Sequence, residues 1–245
     1  MGGNLREARS YFGGNCFFLP LSANFASKRP MNPLHPSPRS ATAFLPTRGD
    51  IASLRAAAED CRGCDLYRHA KQVVFGEGRP DARIVLVGEQ PGDREDQLAR
   101  PFVGPAGKLL GKCLEAAGID RATVYVTNAV KHFKWEPRGK IRLHKKPNSL
   151  EIMACRPWLE KEIAAIQPEL IVCLGATAAQ DLLGTKFRLT QHRGEIFPMP
   201  DGPAVIATIH PSAILRMQPD VKEAEEARLI ADLRVAACYA PETRP

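Results

Sequence analysis

The chain has 245 residues, 44% of them hydrophobic, and a formal charge of +7; this is enough to bury one substantial core and does not demand a second domain. No run of about 18 apolar residues is present to span a bilayer, and seven cysteines do not make an even disulfide set, so a reduced, cytoplasmic setting with no membrane partner is expected. The charge is concentrated: in residues 131–146 seven basic side chains stand against Glu136 alone, which suits a phosphate backbone but is also the make-up of a solvated loop.

Residues 1–50 read as a flexible leader, rich in Pro, Ser and Asn over 27–48, with Met31 as an alternative start. The mildly apolar stretch 16–26 is interrupted by Pro20 and Asn24 and makes a poor secretory signal. A folded domain is expected over 51–241. It opens with a helix at 51–58 that runs into the glycine-containing turn Cys61-Arg62-Gly63-Cys64. Short β-branched runs at 82–87, 123–130, 169–174 and 204–209 then alternate with helical apolar spacing at 107–117, 150–166 and 176–183. This alternation predicts an α/β fold with a central, mainly parallel sheet, whose ligand sits beyond the carboxyl ends of the strands. Glu89, Asn128 and His210 each fall at or just past such an end, so groups distant in sequence can converge on one crevice.

Several segments carry candidate chemistry, each beside a plainer use. Cys61-x-x-Cys64 fits a redox pair, half of a zinc site or part of an iron-sulfur site. Cys113, Cys173 and Cys238 read as buried hydrophobes. Phe102 suits core packing as well as a pocket wall, Asn128 suits a turn, and a loop histidine such as His210 is commonly just a surface group. Gly104-x-x-Gly107-Lys108 is followed by Leu109, so the serine or threonine of a phosphate-binding loop is missing.

Taken together, Gly88-Glu89-Gln90-Pro91-Gly92, the run Val126-Thr127-Asn128-Ala129-Val130-Lys131-His132, the basic loop ending in His144, and His210-Pro211-Ser212 resemble a uracil-DNA glycosylase. More specifically they resemble UdgX, an iron-sulfur subgroup related to family 4 in which the basic-loop histidine becomes bonded to DNA. The resemblance covers about 51–239. It implies a three-layer α/β/α fold and a monomer acting on uracil-containing DNA, single strands included, after the base has left the stack. Phe102 then corresponds to the stacking ring, and Gln90 to a group lining the pocket. Asn128 can accept from uracil N3–H and donate to O4; cytosine reverses both roles, at roughly 1–3 kcal/mol for each unpaired group. His210 corresponds to the donor to O2, where negative charge accumulates as the base departs.

The same resemblance implies a 4Fe-4S cluster held by Cys61, Cys64, His132 and Cys155, the histidine departing from the four-cysteine pattern of family 4 but fitting UdgX; imidazole ligates iron in Rieske centres. Lys140-Ile141-Arg142-Leu143-His144 corresponds to the subgroup's Lys-Arg-Arg-Ile-His loop, with Ile141 in place of an arginine and Leu143 in place of isoleucine. His144 is implied as the nucleophile, Glu89 as the carboxylate that orients it and stabilises positive charge, and Lys140, Arg142, Lys145 and Lys146 as phosphate contacts. His69 is expected near the cluster, and Gln191-His192-Arg193-Gly194 near the DNA. Ordinary hydrolysis with water as nucleophile, or noncatalytic binding of damaged DNA by an iron-sulfur protein, are the alternatives.

Overall fold

The computed structural model describes residues 40–240. The stretch 16–26, Met31, most of the expected leader and the last residue of the expected domain lie outside them. Residues Ala41–Phe44, within the leader by composition, form a 3-10 turn capped by Ser40, with Ala41 fully buried in the core.

Eight strands and eight α-helices follow in order: α1 (Ile51–Ala58), β1 (Glu77–Gly78), β2 (Ile84–Gly88), α2 (Asp93–Leu98), α3 (Pro105–Ala116), β3 (Tyr125–Asn128), β4 (Trp135–Arg138), β5 (Ile141–His144), α4 (Ser149–Ile166), β6 (Leu170–Leu174), α5 (Ala176–Leu183), α6 (Leu189–His192), β7 (Ile196–Phe197), β8 (Ala204–Thr208), α7 (Pro211–Ile214) and α8 (Pro219–Tyr239). The central sheet runs β1-β3-β2-β6-β8-β7; its four inner strands are parallel, and the two-residue edges β1 and β7 are antiparallel. The inner strands read as apolar runs because both faces are covered. Val85, Val87, Ile171, Cys173, Val205 and Ala207 face the layer of α1, α4 and α5, with Trp158 at its centre. The intervening Ile84, Leu86, Leu170, Val172, Leu174, Ala204 and Ile206 face α3, α7 and α8. This is the three-layer α/β/α arrangement, and truncating one of these side chains, such as Leu86→Ala, would cost about 2–5 kcal/mol.

Local signals start the helices. Asp50 caps α1 by accepting from the Ser53 amide at 2.8 Å, and Asn148 and Glu151 form a reciprocal capping box at α4. Pro105 and Pro211 occupy the first turns of α3 and α7, where no amide donor is needed. The long helix α8 buries only Leu229, Leu233 and Ala236, one narrow stripe, which is why its period does not stand out in the sequence. Among the described residues no helix is long and apolar enough to cross a membrane. Cys113 and Cys173 are buried as expected of small hydrophobes, whereas Cys238 lies exposed on α8.

Candidate active site

Three parallel strands deliver their carboxyl ends to one end of the sheet. β2 ends at Gly88, immediately before Glu89 and Gln90; β3 ends at Asn128; β8 ends at Thr208, two residues before His210. Gly88 is the point of closest approach. A Cβ built there would stand 2.8 Å from Phe102 Cζ and closer still to Asn128 Oδ1, so only glycine lets the phenyl edge and the carboxamide meet over the strand. Phe102 adopts a left-handed backbone conformation (φ 56°), uncommon for a bulky residue, and its ring stacks towards His210, the centroids 6.1 Å apart and the planes inclined by 29°. Asn128 is 2% exposed, its side chain lies against Gly88, and its backbone carbonyl accepts from the Lys131 ammonium at 2.7 Å.

The histidine opposite has a defined proton. His210 Nδ1 accepts from the Ser212 amide at 3.1 Å and faces the Ser212 hydroxyl at 2.7 Å, which leaves the ring proton on Nε2 as a donor. Burial, helped by the neighbouring His144 and Arg216, pushes its pKa down to about 4, so the ring is neutral near pH 7. The half-buried Glu89 carboxylate accepts from the Thr177 hydroxyl at 2.5 Å, at the start of α5.

Comparison with known proteins assigns this geometry. The profile of the uracil DNA glycosylase superfamily matches residues 75–234. The chain belongs to that superfamily. It is 43% identical to the type-4 uracil-DNA glycosylase of Thermotoga maritima over 64% of this chain and 78% of that protein. It is 37% identical to the type-4 enzyme of Archaeoglobus fulgidus over 68% of this chain and 83% of that protein. The type-5 uracil-DNA glycosylase of Thermus thermophilus is 32% identical over 57% of this chain and 68% of that protein.

On this superfamily scaffold the basic loop is an antiparallel hairpin, β4–β5, that pairs Trp135 with His144 and Arg138 with Ile141. Alternation along β5 sets its two faces. Arg142 and His144 turn towards the protein, while Ile141 (68% exposed) and Leu143 (40% exposed) turn to solvent. Gln90 pins the hairpin. Its Oε1 accepts from the Lys134 amide at 3.0 Å, which fixes the orientation of the carboxamide. Its Nε2 then donates to the Lys145 carbonyl at 2.9 Å and to His144 Nε2 at 2.8 Å. Gln90, expected to line the uracil pocket, thus spends its side chain on the hairpin. His144 is accessible at one side, and desolvation by its surroundings lowers its pKa, with the Glu89 carboxylate opposing and Arg216 reinforcing the shift.

Arg142 differs from the expectation of a phosphate contact. Its guanidinium is 2.6 Å from Asp93 and 2.5 Å from Asp96, and lies over the Phe133 and Trp135 rings. With two acids already facing it, Arg142 locks β5 onto α2, and its charge is engaged within the chain. Lys145 pairs with Glu136 at 2.8 Å on the outer face, Lys134 with Glu151 at 2.9 Å, and Lys140 and Lys146 are exposed. Arg193, in the segment expected near DNA, is similarly taken up by Asp232 and Glu225 of α8. His69 is exposed, and its carbonyl accepts from the Trp135 indole at 2.9 Å, which ties the hairpin to the segment after Cys64.

Cys61, Cys64 and Cys155 lie in one core cluster, and His132 is also buried. The indole of Trp158 donates to Cys61 Sγ at 3.1 Å and the Lys131 amide to Cys155 Sγ at 3.2 Å. Burial, with Cys61 adding, pushes the Cys64 thiol up to about 11; burial raises Cys155 as well, with Cys64 and Cys61 contributing. Burial holds His132 down at about 4, hence neutral. Among the described residues no three histidine, cysteine or acidic side chains stand close enough to form a metal-binding group. The donor set is nonetheless chemically suited to a thiolate-bound metal: soft sulfurs sharing one buried region, a neutral imidazole, and N–H groups aimed at two of the sulfurs.

Two residues of the site have no signal in the sequence. Thr177 holds Glu89 from a helix start that reads as ordinary Ala-Thr-Ala, and Arg216 acts electrostatically on both His144 and His210 from an exposed position beyond α7.

Proposed function

We propose that this protein excises uracil from DNA and captures the resulting deoxyribose through His144. The excision reading is supported by its relatives, type-4 and type-5 uracil-DNA glycosylases, and by a pocket chemistry that suits uracil. The Asn128 carboxamide offers an acceptor for N3–H and a donor for O4, Phe102 offers a face, and His210 offers Nε2–H to O2. As the bond between N1 and C1′ breaks, its electron pair leaves with uracil and the sugar gains oxocarbenium character. The His210 donor stabilises the departing anion, a contribution of about 3–4 kcal/mol where such donors have been removed elsewhere. Glu89 stabilises the opposite charge on the sugar.

The observation that carries the capture step is the placement of His144, held by Gln90 on a hairpin over the strand ends that bear Glu89 and Asn128. Its ring accepts at Nε2 and so carries its proton on Nδ1. When Nε2 exchanges the Gln90 hydrogen bond for C1′, a C–N bond forms and positive charge passes to the imidazolium. Loss of the Nδ1 proton to Glu89 or water then leaves a neutral, substituted imidazole on the DNA, while uracil takes a proton from solvent.

Cys61, Cys64, His132 and Cys155 would hold a 4Fe-4S cluster, which when bound would cross-link the segment after α1, the segment following β3 and helix α4. Lys140 and Lys146 carry the phosphate contacts, and Arg142 positions β5. The setting is cytoplasmic, the protein is a monomer, and single-stranded DNA is accepted. The test is a denaturing gel of the protein with labelled single-stranded DNA containing one uracil. A detergent-resistant shifted band that requires uracil supports capture; an unshifted strand broken at the uracil position by alkali means hydrolysis; an alkali-stable, unshifted strand overturns excision itself.

A further inference from the structure

Below the pocket lies an ion pair removed from solvent, with Lys131 and Glu162 side chains 1% and 0% exposed and 2.5 Å apart. Every group around it is paired. The Lys131 ammonium donates to Glu162, to the Thr127 hydroxyl at 2.6 Å and to the Asn128 backbone carbonyl at 2.7 Å, and it also faces the Phe75 ring. Glu162 accepts from the Tyr125 hydroxyl at 2.8 Å, the Thr127 hydroxyl at 3.1 and 3.0 Å and the Gly76 amide at 3.1 Å.

A buried ion pair is weak evidence for stability, because removing both charges from water costs about as much as their attraction returns. This one converges on a single stretch of backbone. β1 pairs with β3 only at Tyr125 and Val126, so the last two residues of β3 have no strand on that side. There the pair takes over, gripping the Thr127 side chain and the Asn128 carbonyl, while the Ala129 amide is held by Gly88 on the other side. The Asn128 carboxamide leaves the chain at that point, and it can distinguish the two edges of a pyrimidine only if its plane is fixed before the base arrives.

We propose that the Lys131–Glu162 pair is a positioning device for Asn128, setting the orientation of the carboxamide that reads the base. This rests on the reading of the site as a uracil pocket. Lys131 also donates its amide to Cys155 Sγ, so the same residue bears on the cysteine group and on the base pocket.

The test is a double-mutant cycle read by single-turnover release of uracil from labelled single-stranded DNA, using the full chain as purified. The variant Lys131→Met/Glu162→Gln removes both charges and keeps their volume, so no lone charge is left buried. It is made with Asn128 present and with Asn128→Ala. The pair acting through Asn128 predicts a rate about tenfold lower when Asn128 is present and a change of no more than about twofold when it is absent, with DNA affinity unaltered. Equal losses in both backgrounds would overturn the proposal, since a general loosening of the fold does not depend on residue 128. Should the double variant be recovered unfolded, Thr127→Val, which removes one partner of the ammonium and leaves the charges paired, is read in the same two backgrounds with the same criterion. If the unaltered protein releases no uracil, the pocket reading fails first; if it does and the losses are additive, only the positioning role fails.

Discussion

Gln90 Nε2 lies 2.8 Å from His144 Nε2, and because Gln90 Oε1 is fixed by the Lys134 amide, the contact has one sense: the amide donates and the imidazole accepts. The Nε2 lone pair of His144, the proposed nucleophile, is thereby aimed and occupied at once. Replacing Gln90 by leucine removes the aim and the hairpin anchors together. The expected outcome is a fall of about tenfold or more in adduct yield with a smaller loss of uracil release, since near-attack placement is worth more to the bond-forming step than to departure of the base. Quantifying the shifted band and the free uracil from one reaction checks both.

With His144 as the proposed nucleophile, the acid limb of adduct formation is expected to report its charge. Desolvation and Arg216 lower its pKa while Glu89 opposes, so the neutral nucleophile persists below about pH 6.5, the value of an unperturbed imidazole. Arg216→Gln removes a positive charge that disfavours the cation and moves the acid limb to higher pH. Glu89→Gln removes a negative charge that favours the cation and moves the limb to lower pH, on top of its loss of rate. Adduct rates measured from pH 4 to pH 8 check the two directions.

His210 makes a matching statement about stability. Its pKa is about 4 in the folded protein and about 6.5 when unfolded, so between those values the unfolded chain binds the additional proton. Its contribution is complete above about pH 6.5 and is lost as pH falls towards 4. The urea midpoint is expected to fall across that interval, and the fall is expected to be shallower in His210→Asn.

Arg142 and Lys146 test the proposed division between holding the hairpin and holding DNA. Lys146→Gln is expected to flatten the dependence of log affinity on log salt concentration by about one, the signature of one lost phosphate contact. Arg142→Gln leaves Asp93 and Asp96 without their shared cation; it is expected to reduce adduct formation with little change in slope. Binding titrations over a range of salt decide between them.

The inner sheet was legible because every residue of β2, β3, β6 and β8 is buried, so the four strands stand out as short apolar runs. The helices at 51–58 and 176–183 were legible to the residue from their apolar spacing. The hairpin was not. Ile141 and Leu143 face water and Arg142 faces acids forty-six and forty-nine residues earlier, so no local periodicity marks β5, and seven basic residues in sixteen suit a phosphate-binding loop and a solvated loop equally. Motif positions singled out Gln90, Arg142 and His144 as candidates, but what Gln90 and Arg142 touch depends on how the hairpin folds back over β2 and α2. The Lys131–Glu162 pair was hidden for a similar reason: a lysine in a basic run and a glutamate in a helix both look like surface residues.

The most direct test compares the unaltered protein with His144→Ala on single-stranded DNA carrying one uracil, using intact-mass measurement after denaturation. Capture through His144 predicts a uracil-dependent species with the mass of protein plus base-free DNA, abolished by His144→Ala, while the variant still generates alkali-labile sites with water as the nucleophile. The same conjugate in His144→Ala, or alkali-labile DNA with no conjugate from the unaltered protein, would contradict the account.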